Sequence, residues 1–117
     1  MTQLFFADLV RERSHGSGTG PLALAGAAGG HRRFADVVPP GAAFHYAIAG
    51  ITHPGQWETG EGSLDPSGAL LRAPAASSAG GGAVDFLAGT KTVTLTVGAG
   101  WFAGQQEALA GKAALAG

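Results

Sequence analysis

The stretch Lys91-Thr92-Val93-Thr94-Leu95-Thr96-Val97 decides how the rest of the sequence is read. Val93, Leu95 and Val97 recur at every second position and the threonines fill the alternate ones, so one face is apolar and the other hydroxylated. That period of two, carried by β-branched residues, predicts a half-buried antiparallel strand. Phe44, Tyr46 and Ile48 alternate with His45, Ala47 and Ala49 in the same way and predict a second strand with Tyr46 in the core. Working outward, Phe6 to Arg13 reads as a first strand, and Leu22-Ala23-Leu24 and Arg33 to Val38 as shorter ones. Gln56 to Thr59 and Ala69 to Arg72 flank two turn signals, Gly60-Glu61-Gly62-Ser63 and Asp65-Pro66-Ser67-Gly68. Val84-Asp85-Phe86 leads through Ala88-Gly89-Thr90 into Lys91 as a hairpin connection. Ala73 to Gly82 reads as a low-complexity loop.

Short strands at close intervals, separated by Gly, Pro, Ser and Asp, predict an all-β chain: a compact antiparallel β-sandwich or barrel. A composition break at Gly98 to Gly100 divides residues 1–100, the β domain, from 101–117, a C-terminal tail or short docking helix. The 117 residues include 21 glycines and carry a net charge of -1. Leu, Ile, Val and Phe together lie just above the ~20% below which highly charged chains stay disordered. The chain is therefore expected to fold around a thin core and to gain stability from self-association.

The same arithmetic narrows function. Seven basic residues, paired at Arg11/Arg13 and Arg32/Arg33 and otherwise scattered, do not make the clustered surface that tracks phosphates, so no nucleic-acid partner is expected. No apolar run approaches the ~20 residues of a bilayer span, so no membrane partner is expected. The N-terminus meets Asp8 without a basic region, unlike a secretion signal. Without cysteine there is no disulfide, thiol nucleophile or thiolate metal site.

Gly16-Ser17-Gly18-Thr19-Gly20 lacks the Lys-Ser/Thr of a phosphate loop and ends in Pro21, so it reads as an inter-strand loop. His15, His31, His45 and His53 show no metal-ligand spacing. Glu58, Glu61 and Asp65 beside Trp57 suggest a glycosidase pair, but three acids among glycine-rich turns read better as a solvated hairpin edge. No catalytic residue, cofactor or metal site is expected. Trp57, His53 and Gln56 form a candidate glycan contact. Leu4, Phe5 and Phe6 at one end and Trp101 and Phe102 at the other form a candidate interface, because apolar side chains there need a surface to cover.

Taken in order, Asp8-Leu9-Val10-Arg11-Glu12, Gly18-Thr19-Gly20, Leu22, Leu24, Ala25, Gly26 and Phe34 resemble a small β domain of bacteriophage tail-fibre and related virion proteins. The likeness continues through Tyr46-Ala47-Ile48, Trp57-Glu58-Thr59-Gly60, Gly62, Leu71-Arg72 and Ser77-Ser78. It closes on Val84-Asp85-Phe86, Ala88-Gly89-Thr90-Lys91 and Val93. The resemblance implies a non-enzymatic base by which a fibre or spike attaches to its particle. It also implies that Trp57 and Phe86 fill the core and that Arg11, Glu12, Arg72 and Lys91 pair across strands.

The chain ends seventeen residues after Gly100, which suggests a base whose fibre is a separate polypeptide. An alanine- and glycine-rich composition suits a high-G+C genome and, with it, a phage or gene transfer agent particle. The expected partners are further copies of the chain (a trimer or pentamer), a capsid or tail protein, and a fibre protein. The expected location is the virion, assembled in the bacterial cytoplasm. The rival expectation is a carbohydrate-binding module touching host polysaccharide.

Overall fold

A computed structural model describes residues 4–99. Five strands, β1 (Arg11–Ser14), β2 (Phe44–Gly50), β3 (Trp57–Leu64), β4 (Leu70–Ser77) and β5 (Lys91–Thr96), form one antiparallel sheet in the order β1-β5-β2-β3-β4. The fold is all-β, and the helix α1 (Phe34–Val37) is a single turn. The two strands with the cleanest alternation, β2 and β5, lie side by side at the centre, with Tyr46 opposite Leu95 and Ile48 opposite Val93. Their inward residues are buried with Phe44, Val10, Leu22, Phe34, Leu70, Val84 and Phe86. Phe34 from α1 packs on Phe44 with ring centroids 5.2 Å apart. The layer over this buried face is irregular chain joined by isolated bridges, Leu22 to Leu70 and Gly18 to Phe86. Each buried Leu, Ile, Val or Phe side chain contributes roughly 1.5–3 kcal/mol, so a core of this size leaves polar contacts much to do.

Several elements differ from the sequence expectation, each for a local reason. The first strand starts at Arg11, not Phe6, because Leu9 turns the chain before Val10. Leu22 makes a single bridge rather than a strand through Leu24. The Arg33 to Val38 segment is helical at Phe34–Val37 because the buried Glu12 carboxylate accepts the Phe34 N–H at 2.8 Å, acting as a cap from another element. Pro39-Pro40 then prevents continuation.

Gly60 to Ser63 is not a turn. It is the middle of β3, where Gly60 and Gly62 face the core opposite Tyr46 and Phe44. A Cβ on Gly60 would lie 2.2 Å from the Ala73 carbonyl oxygen, so only glycine allows β4 to approach. The segment expected as a loop from Ala73 continues as strand to Ser77. Phe86 bridges Gly18, so the link into β5 is not a hairpin.

The β1 edge is paired with neighbouring chain, and the β4 edge is paired at Leu70. Along β1, Arg13 donates to Gly26 (3.0 Å), Ala25 donates to Arg13 (2.7 Å) and Ala28 donates to Arg11 (3.0 Å). Along β4, Leu70 and Leu22 exchange hydrogen bonds, and Pro74 offers no N–H. Strand addition is thereby blocked along β1.

Candidate functional site

Two exposed apolar clusters lie at opposite ends of the sheet, separated by the length of β2, about 20 Å for a seven-residue strand. At the end where β2 begins and β5 finishes, Phe6, Leu9, Leu95 and Val97 line a groove of about 550 Å³ with Ala7, Asp8 and Thr96. Leu9 is 63% exposed and Phe6 41%. The chain enters and leaves the described fold here: Leu4 bridges Ala43, Phe5 donates to the Ala43 carbonyl, and Val97 follows β5. Of the predicted interface, Phe5 is spent on the core, which it packs against, while Leu4 is half-buried beside it. Trp101 and Phe102 lie outside the described residues.

Leu9 is the residue that sequence reading missed. Its φ is 59°, in the left-handed region, and no other described non-glycine residue has a positive φ. Arg32 holds it there. The Arg32 N–H donates to the Leu9 carbonyl at 2.6 Å, and its guanidinium donates to the Asp8 carbonyl through Nε (3.1 Å) and Nη2 (2.5 Å). Nothing in the letters Asp-Leu-Val signals this conformation, because Leu rarely adopts it.

At the opposite end, Ile51, Trp57 and Leu87 are exposed, Trp57 by 42%. Trp57 is therefore not the core filler that the resemblance implies, whereas Phe86 is. Trp57 pairs with Ala49 on the outer face of the sheet. His53 and Gln56 share this end, so the three predicted glycan residues are neighbours. The Gln56 amide is already engaged, donating to Asp85 O (3.3 Å) and accepting from Leu87 N (3.0 Å), which clasps two loops together. His53 Nε2 lies 3.2 Å from the Ala88 carbonyl.

Between the ends runs a buried polar hub. Glu58 and Arg72 form the one ion pair among the described residues, with Nη2 2.6 Å from Oε1. Arg72 spends all five donors: two on Glu58, and one each on the carbonyls of Gly18, Gly20 and Val84. Glu58 also accepts from the Tyr46 hydroxyl (2.6 Å) and Val84 N (2.9 Å). Burial pushes the Glu58 carboxyl upward, but the hydrogen bonds from Arg72, Tyr46 and Val84 outweigh it and hold its pKa below the usual value. Burial and the adjacent carboxylate push the Tyr46 phenol well above its ordinary range.

Phe86 is flanked by two cations, with Arg72 Cζ 5.0 Å and Lys91 Nζ 5.6 Å from its ring centroid. Lys91 donates to the Gly16 and Gly89 carbonyls, and burial, then the Arg72 charge, lowers its pKa. The expected cross-strand ion pairs therefore reduce to Arg72 with Glu58. Arg11 donates to Thr94 Oγ1, Glu12 caps the backbone at Gly26 and Phe34, and Lys91 binds carbonyls.

The acids expected along one solvated edge are dispersed. Three residues apart on a strand, Glu58 and Glu61 point to opposite faces, one buried and one exposed. Asp65 closes its own turn by accepting from Ser67 and Ala69, chiefly the Ser67 hydroxyl, which lowers its pKa. His31 contacts its own turn at Gly29, while His15, His45 and His53 reach Thr90, Gly98 and Ala88, and no three metal-ligating side chains gather among the described residues. No helix among them is long and apolar enough to cross a membrane. No protein-family model, curated protein or solved structure matches the chain.

Proposed function

We propose that this chain is a structural virion protein, the base or attachment module of a head spike or tail fibre in a phage or gene transfer agent particle. The observation that supports it is the exposed apolar side chains at opposite ends of the sheet. Such a body joins one partner to another through its ends. In this reading the chain forms a closed homo-oligomer, a trimer or a pentamer. A capsid or tail protein occupies one end and a separate fibre protein the other. The role is adhesive and architectural, without catalysis or cofactor, and its place is the virion.

The test is to purify particles from cells expressing an epitope-tagged chain and to locate the tag by immunogold electron microscopy. Label at one repeated position, on head vertices or on the tail, is expected. Particles of normal composition that carry no label would overturn the proposal.

A second reading, a carbohydrate-binding module for host polysaccharide, is favoured by one observation: Trp57 presents an exposed indole beside His53. It predicts saturable binding of capsular polysaccharide that Trp57→Ala abolishes while the fold remains. A flat titration with the unmodified chain counts against it.

A further inference from the structure

The last described residues form part of the wall of a cavity. On the outer face of the sheet, about 520 Å³ lies open between His45, Thr59, Glu61 and Ala76, and Gly98 and Ala99 flank it. His45 stands opposite Glu61, and Thr59 opposite Ala76, so the floor crosses β2, β3 and β4 in register. The chain is fixed as it enters. Gly98 donates its N–H to His45 Nδ1 at 2.7 Å, and a Cβ there would lie 3.0 Å from that nitrogen, so glycine suits the approach. Ala99 is thereby delivered to this cavity, away from the groove beside Val97.

Continuity of the chain says what the occupant is. The next residues are Gly100, Trp101 and Phe102. Two residues span at most about 7 Å, so Trp101 starts within reach of the cavity that Ala99 lines. The floor offers it a seat: Ala73, Ala75 and Ala76 are exposed, and a ring laid over them removes apolar surface from water. An enclosed indole also needs an acceptor for its N–H. Glu61 supplies one, being exposed at the cavity and outside the one ion pair among the described residues.

We propose that the cavity is the seat of this chain's own residues 100–117, with Trp101 as the side chain that fills it. A sheet with its core on one face gains a layer on the other in this way. The inference does not rest on the proposed function: it says how this end of the fold is completed, whatever then meets it.

The test is the fluorescence of the full chain carrying Trp57→Phe, which leaves Trp101 as its only tryptophan. Trp101 should emit to the blue of the urea-unfolded chain and resist acrylamide quenching. Because its tether is intramolecular, both readings should hold at every protein concentration. Ala76→Glu, which puts a carboxylate into the floor, should shift the emission to the red and raise quenching several-fold. Ala75→Glu serves the same purpose if Ala76→Glu does not fold. Leu9→Asn, which alters the groove beside Val97 and not this cavity, should leave both readings unchanged.

Emission like that of the unfolded chain would overturn the proposal. So would a red shift from Leu9→Asn in place of Ala76→Glu, which would put Trp101 in the other groove. Shielding that disappears on dilution would also overturn it, because the occupant would then be a second copy. Immunogold labelling of particles reads none of these, so this inference and the proposed function fail separately.

Discussion

The hub around Glu58 and the surface around Leu9 treat their residues in opposite ways. At the hub every demand is met inside the chain: Arg72 has five acceptors for five donors, and no buried side-chain polar atom among the described residues lacks a partner. At Leu9 the chain holds a strained backbone in place and exposes an apolar side chain that satisfies nothing within it. The satisfied groups of the hub account for stability, whereas the strained turn at Leu9 is held in place by Arg32. A thin apolar core makes the contrast sharper, because one charged hub must hold the loops at 16–22 and 82–86 that larger side chains would otherwise pin.

Breaking the hub should have the largest effect. Arg72→Met leaves Glu58 buried without its partner and frees the Gly18, Gly20 and Val84 carbonyls, a loss of about 3–5 kcal/mol by urea denaturation. Gly60→Ala comes next: its Cβ would meet the Ala73 carbonyl oxygen at 2.2 Å and Pro74 Cα at 2.8 Å, for roughly 1–3 kcal/mol of strain in the same assay.

Acid sharpens the comparison further. Because the folded Glu58 pKa lies below its unfolded value, the stability that it contributes is complete above about pH 4.3, the unfolded value, and is lost as pH falls through the folded pKa. The urea midpoint of the wild type should therefore fall in that window, and in Glu58→Gln it should fall less from a lower start. The smallest effect is expected at the far end of the sheet. Trp57→Ala, with its indole exposed, should move stability within about 0.5 kcal/mol.

Strand identity was legible wherever alternation was strict, so β2, β5 and the burial of Tyr46 follow directly from the sequence. It was not legible in β3 and β4, where Gly60, Gly62, Ala73 and Pro74 carry no strand propensity. They form strand because Tyr46 and Phe44 lie across the glycines and let β4 come close. The pairing of Glu58 with Arg72 was hidden for a similar reason: a charged residue reads as surface until a bend brings its partner within reach.

Of the candidate sites, the two ends of the chain and the Trp57 region were visible as unpartnered aromatics. Their placement at opposite poles depends on strand register. The conformation of Leu9 had no signal at all, because it is imposed by Arg32, distant in sequence.

The contrast between a satisfied interior and a strained surface turn is tested most directly by measuring the thermal midpoints of Tyr46→Phe and Leu9→Asn beside the wild type. Losing the Tyr46 hydroxyl removes one hydrogen bond to a buried carboxylate, about 1–3 kcal/mol. Tyr46→Phe is expected to melt earlier, and Leu9→Asn, whose asparagine tolerates the left-handed conformation, to melt no earlier than the wild type. A midpoint that falls in Leu9→Asn, or one that is unchanged in Tyr46→Phe, would contradict that contrast.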